Sequence, residues 1–177
     1  MMKKIFTLVL LCVLVFCSGY KKPYRYTIKA EKDAYVHNNI GLNYLQDRIY
    51  YAAIQEFKIA IQLSPNTQTT AIFKNNLGET YMYIGYPEMA RVCFEDAVHQ
   101  YGLNLKYYMN LAQCYETLDI LKTKIDELSK SENTYDQIML GILYTKTGDE
   151  RKGIIKLDEI CQALPSVFYS RADLHDC

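Results

Sequence analysis

Residues 77–81 read Leu77-Gly78-Glu79-Thr80-Tyr81, and the same spacing of a large apolar residue, a small one and a tyrosine recurs three more times. The other copies are Ile40-Gly41-Leu42-Asn43-Tyr44, Leu111-Ala112-Gln113-Cys114-Tyr115 and Leu140-Gly141-Ile142-Leu143-Tyr144. Their small residues are 37, 34 and 29 positions apart, around the roughly 34-residue period of stacked helix-turn-helix units. Nine residues past the tyrosine a second small residue stands in three of the four copies, as Ala53, Ala90 and Gly153. Four further on come Phe57, Phe94 and Leu157, and eight beyond those Pro65 and Pro165 in two of the three units. Each element has a steric reason. Antiparallel helices approach to about 8 Å only where one presents a small side chain to the other, the role open to Gly41 with Ala53 and to Gly78 with Ala90. The large residues fill the wedge between helices, and a proline cannot continue a helix.

This constellation resembles the tetratricopeptide repeat over residues 34–167. The resemblance implies an all-α, right-handed solenoid of four repeats, at 34–67, 71–104, 105–133 and 134–167. Its packing positions are Gly41, Tyr44, Ala53, Phe57, Ala60 and Pro65 in the first unit, and Gly78, Tyr81, Ala90, Phe94 and Ala97 in the second. Ala112 and Tyr115 follow in the third, then Gly141, Tyr144, Gly153 and Pro165 in the fourth. Eight helices are expected, over 34–47, 50–63, 69–84, 87–100, 105–117, 119–130, 134–147 and 150–163. Pro87 suits the first turn of its helix, Gly102 is expected to end the second unit in a left-handed cap, and Thr134 with Gln137 to form a capping box. The third unit is degenerate: Lys124 stands in the second small-residue slot, Leu128 replaces the phenylalanine, and the unit is short. Its second helix is expected to pack loosely or to bend the stack.

In this family the first helices line a concave groove that holds an extended peptide or a helix of another protein. The resemblance makes Asn38, Asn75, Asn76, Glu79, Lys106, Asn110 and Gln113 the candidates here, with Asn39 beside them. Asparagine amides both donate to and accept from a peptide backbone, so they hold an extended chain without demanding a sequence. A packing role is the competing reading for the asparagines. The family's carboxylate clamp of Lys, Asn and Arg is incomplete: Asn38 and Leu42 stand where the first unit would carry Lys and Asn, Asn110 replaces an Arg, and only Asn76 and Lys106 match. Chaperone-tail binding is therefore not expected.

The N-terminus carries a different message. Lys3 and Lys4 precede Ile5 to Cys17, an uncharged run of 13 residues, too short to cross a bilayer and built like a secretory signal. Residues 1–19 are read as that signal, and 20–33 as a basic spacer whose last residues could extend the first helix. Leu14-Val15-Phe16-Cys17 resembles a bacterial lipobox, departing from it at Phe16, which makes Cys17 a candidate for lipidation and membrane attachment. A cut after Gly19, giving a soluble periplasmic or secreted protein, and an uncleaved anchor stay open.

Composition narrows the classes further. In 177 residues, 20 Lys plus Arg balance 20 Asp plus Glu, half the residues are hydrophobic, and Tyr is abundant at 17. A neutral, apolar-rich chain is not a nucleic-acid coat or a disordered linker. No phosphate loop, dinucleotide fingerprint, H-E-x-x-H or nucleophile elbow is present, so no enzymatic activity, metal or cofactor is expected. His37 falls where packing is the better reading, and His175 with Asp173, Asp176 and Cys177 reads as an acidic tail over 168–177 that could also form a short cap. Cys93, Cys114 and Cys161 stand among apolar residues; a Cys161–Cys177 disulfide is the pairing that would pin the tail. The function expected is a non-catalytic protein-binding adaptor of the bacterial cell envelope, in assembly of pili, outer-membrane proteins or secretion machinery. A soluble binding module and a self-associating subunit are the alternatives.

Overall fold

The computed structural model describes residues 30–163. Residues 1–29 and 164–177 lie outside it, and with them the signal segment, Cys17, most of the spacer, Pro165, Cys177 and the tail. Eight α-helices follow one another: α1 (Ala30–Gln46), α2 (Tyr50–Leu63), α3 (Gln68–Tyr83), α4 (Pro87–Gln100), α5 (Leu105–Thr117), α6 (Leu121–Leu128), α7 (Thr134–Lys146) and α8 (Glu150–Ala163). Ala30 to Asp33 form the first turn of α1, so the end of the basic spacer extends that helix. Helices pair as α1/α2, α3/α4 and α7/α8, with α5/α6 the loosest pair; α2 packs on α3, α4 on α5, and α5 and α6 on α7, and α1, α3 and α5 also touch along one face.

Within each pair a three-residue turn reverses the chain, and all four turns close in the same way. The amide of Ile49 donates to the Tyr44 carbonyl at 2.8 Å, Tyr86 to Tyr81 at 2.9 Å, Ile120 to Tyr115 at 3.0 Å and Asp149 to Tyr144 at 2.9 Å. The middle residues, Arg48, Gly85, Asp119 and Gly148, have φ of 60°, 79°, 56° and 90°, and their amides reach the carbonyls of Leu45, Met82, Glu116 and Thr145. These paired bonds are a Schellman motif, repeated at the spacing of the tyrosines. The recurring tyrosine thus supplies the carbonyl that ends its helix as well as the ring that packs.

The left-handed cap expected at Gly102 is therefore in a different loop. Gly102 is buried without a positive φ; a β-carbon there would strike the Tyr135 ring, and its carbonyl accepts from the Tyr108 hydroxyl at 3.0 Å. The capping box expected at Thr134 and Gln137 is also corrected. Asn133 caps α7 by accepting from the Tyr135 amide at 2.8 Å, and Gln137 instead donates to the carbonyls of Leu128 and Ser131. A reciprocal box does form, between Thr67 and Thr70 at the start of α3.

The small residues make room for large ones. A β-carbon on Gly41 would come within 2.7 Å of the Phe57 ring, and one on Gly78 within 2.6 Å of the Phe94 ring. Each glycine therefore receives the phenylalanine of the facing helix. Ala53, Ala90, Ala97 and Ala112 are fully buried in the cluster that holds these rings, and Ala60 in a second one with Ala34 and Phe73. Gly141 stands against Leu157 and the Gly153 carbonyl, so the fourth pair closes on two glycines.

The third unit is the weak one, as its sequence implies. Helix α6 has 8 residues, where α2, α4 and α8 have 14, and none of its side chains is buried. It is thus about 9 Å shorter at 1.5 Å per residue. Lys124 cannot enter the interface that an alanine would fill; its ammonium lies 5.5 Å from the centre of the Tyr115 ring and 2.9 Å from Glu127. A cleft of about 410 Å³ opens between α4 and α7, with Leu111, Tyr115, Leu128 and Met139 among its walls.

Candidate functional site

The face shared by α1, α3 and α5 carries a ladder of side-chain amides. Asn76 donates to Asn38 Oδ1 at 2.9 Å, and Asn110 donates to Asn75 Oδ1 at 2.8 Å. Each bond joins first helices of successive repeats. Asn38, Asn75 and Asn76 are buried, so these three groove candidates serve the stack: their amides are spent on neighbouring side chains of the stack and are not presented to a ligand. A buried polar group is stabilising only when its hydrogen bonds are made, and repeating asparagine at equivalent positions meets that requirement from one unit to the next. Asn39 is exposed, with Asn38 a distant donor to it at 3.5 Å.

The remaining four candidates come together. Glu79, Lys106, Asn110 and Gln113 line a cavity of about 370 Å³ with Met82, Tyr83 and Phe94. Glu79 is its hub. One carboxylate oxygen accepts from Asn75 at 2.9 Å and Asn110 at 2.8 Å, and pairs with the Lys106 ammonium at 2.7 Å. Held by three donors, Glu79 has a fixed rotamer, while Lys106 stays largely exposed and keeps donors for another group. Gln113 extends the polar edge: its amide donates to Glu116 at 2.9 Å and its carbonyl accepts from Lys146 at 3.1 Å, while Lys146 pairs with Glu116 at 2.9 Å. The result is an amide and ammonium rim over an apolar floor of Met82 and Phe94, a surface suited to a peptide backbone.

Tyr83 and Met82 escape a reading based on the repeat signature alone, because they lie beyond its tyrosine. The signal that finds Tyr83 is its position four residues after Glu79, which places both on one helix face. A second cavity, about 510 Å³, adjoins on the other side of Tyr83, lined also by Leu42, Leu45, Gln46, Arg48 and Tyr50.

The other singled-out residues are structural. His37 donates from Nδ1 to Glu56 Oε2 at 2.6 Å, tying α1 to α2. Cys93 and Cys114 are free thiols, and burial pushes them up to about 12 and about 11 respectively; they are inert small hydrophobes at neutral pH. Cys161 is exposed on α8. Tyr115 is buried with its hydroxyl donating to Glu95 at 3.0 Å, and desolvation raises its ionisation well above the usual phenol range. Among the described residues no group of three metal-ligating side chains occurs, and no helix is long and apolar enough to cross a membrane.

A family model for the tetratricopeptide repeat matches residues 72–98, the second helix pair. No curated protein matches the chain by sequence. Among solved structures, the OM64 TPR domain of Arabidopsis is 12% identical, with a TM-score of 0.51 over 76% of this chain and 99% of that one. The first TPR of Spaghetti (RPAP3), bound to the HSP90 peptide SRMEEVD, is 18% identical, with a TM-score of 0.51 over 75% and 94%. A crystal structure of MamA is 21% identical, with a TM-score of 0.50 over 74% and 73%. With eight helices in stacked pairs, the described residues have the fold of a tetratricopeptide-repeat solenoid.

Proposed function

We propose that this chain is a non-catalytic adaptor of the bacterial cell envelope that holds an extended segment of a partner protein in its concave groove. The observation that carries the reading is the cavity of Glu79, Lys106, Asn110 and Gln113 over Met82 and Phe94. One oxygen of its carboxylate accepts three internal donors, and the other polar groups at the cavity are amides and an ammonium. These groups bind backbone carbonyls and carboxylates, and lack the paired acid and base or the nucleophile that turnover requires. A repeat domain of the same fold holds a seven-residue peptide, which supports a peptide as the class of ligand. The burial of Asn76, one of two residues matching the carboxylate clamp, argues against a clamp of that design.

Placement in the envelope rests on the sequence before the domain. Lys3 and Lys4 ahead of 13 uncharged residues suit export, and Cys17 suits a lipid anchor. Assembly of pili, outer-membrane proteins or secretion machinery is the kind of process such an anchored adaptor serves.

The test is cross-linking in the native host followed by membrane fractionation and purification of the full-length protein. Wild type is expected in the membrane fraction with a cross-linked partner, and Lys106→Ala with Gln113→Ala is expected to cut partner recovery at least tenfold. Equal recovery by the double variant would remove the groove assignment. A soluble fraction whose mature N-terminus is Tyr20, without acyl mass, would remove the anchor.

A further inference from the structure

The cavity on the far side of Tyr83 has mixed walls, with Gln46 and Arg48 among leucine and tyrosine side chains. Leu42 and Leu45 line it, and Tyr50 and Tyr83 stack beside it with ring centres 6.0 Å apart and planes at 16°. Tyr83 is 67% exposed and borders both cavities, so a single ring divides one groove into two compartments. No carboxylate lines this compartment; its one charged residue is Arg48. Among the described residues no ion pair engages Arg48.

Arg48 also occupies an unfavourable place for a side chain. It is the left-handed residue of the first Schellman turn, with φ of 60°, where the second and fourth repeats use Gly85 and Gly148. A β-carbon in that conformation is destabilising relative to glycine. Keeping an arginine there sets a guanidinium, able to hold a carboxylate by two parallel hydrogen bonds, at a cavity that carries no acid of its own.

We infer that this compartment is a specificity subsite for a segment carrying an aromatic or long aliphatic residue next to an Asp or Glu. The apolar side chain lies against Leu42, Leu45 and the Tyr50–Tyr83 pair, its neighbour's carboxylate is held by Arg48, and the adjoining backbone crosses Tyr83 to the Lys106 and Asn110 amide rim. Charge complementarity fixes the choice: a cavity of leucine and tyrosine walls whose one charge is Arg48 favours an anionic neighbour and disfavours a basic one. The inference rests on the groove being the binding surface, and it adds which sequence the groove selects.

The experiment is selection of a displayed random dodecapeptide library on the immobilised full-length protein. Enriched peptides are expected to place Phe, Tyr, Leu or Ile beside Asp or Glu. Arg48→Gly relieves the left-handed strain and is expected to raise the thermal midpoint by about 1–4 °C. The same variant is expected to bind the enriched peptides about five- to tenfold more weakly and to select no acid, while Arg48→Lys keeps the preference. A stabilised protein that has lost only its acid preference cannot be explained by misfolding. Enriched peptides without an acid, or the same acidic motif on Arg48→Gly, would overturn the subsite. If those peptides still depend on Lys106 and Gln113, the groove itself stands. No enrichment, or binding indifferent to Arg48, Lys106 and Gln113 alike, would overturn both.

Discussion

Phe94→Ala is expected to lower the unfolding free energy by about 3–5 kcal/mol, the range for deleting a buried aromatic ring. The ring is 1% exposed, enters the notch left by Gly78, and floors the polar cavity of the groove. Neighbouring side chains cannot close the hole cheaply, because the helix spacing is set by the alanines around it and not by flexible residues. Gly78→Ala attacks the same contact from the other side, since its β-carbon would lie 2.6 Å from the ring edge; crowding of that kind costs about 1–3 kcal/mol. The two changes share one contact, so the double variant should lose less than the sum. Urea unfolding followed by circular dichroism measures all three. A loss under about 1.5 kcal/mol for Phe94→Ala would show that the Gly78–Phe94 junction does not hold the two helices of the second repeat together.

Asn75→Asp should be nearly as damaging, for an electrostatic reason. Asn75 is 2% exposed and its amide donates to Glu79 at 2.9 Å, while its carbonyl accepts from Asn110. Aspartate keeps the shape, removes the donor and faces one carboxylate with another in a desolvated position. Burial and the Glu79 charge both raise the introduced carboxyl's folded-state pKa above its unfolded value of about 3.9. The sign follows: the penalty, about 3 kcal/mol, is fully present above the folded pKa, shrinks as pH falls through it, and vanishes below the unfolded pKa. The stability gap between variant and wild type should therefore narrow from pH 7 to pH 4. A gap independent of pH would mean that the amide ladder is not a desolvated network.

The four-unit architecture was legible because its signature is steric. Gly41, Gly78 and Gly141 have few alternatives where a ring or leucine must enter a neighbouring helix, and a fixed period leaves little choice of stacking. The degeneracy of the third unit was equally readable, since Lys124 is incompatible with a closed interface. Helix ends were less so. Arg48 and Asp119 adopt the left-handed conformation without being glycine, so composition pointed to Gly102, whose smallness answers to the Tyr135 ring instead. Gln137 follows Thr134 at capping-box spacing, yet Asn133 one residue earlier takes the cap, and spacing alone cannot rank two adjacent candidates.

In the groove, residue type alone could not separate two uses of asparagine. Asparagine is suited both to a peptide backbone and to another asparagine, and only the distance between repeats decides between them. At the spacing α1, α3 and α5 adopt, the amides of Asn38 and Asn76, and of Asn75 and Asn110, meet each other. Glu79, Lys106, Asn110 and Gln113 remain at the open cavity, and Tyr83, one helical turn beyond Glu79, stands at its centre.

Tyr83 accordingly offers the most direct measurement. With p-benzoylphenylalanine incorporated at position 83 of the full-length protein, irradiation in the native host should give a discrete cross-linked partner, and Lys106→Ala with Gln113→Ala should abolish it. The same photoprobe at Val92, exposed on α4 outside both cavities, should give none. Cross-linking to a distinct partner from Val92 and not from position 83 would contradict a peptide-holding groove, and a product of twice the chain mass from position 83 would replace it with self-association.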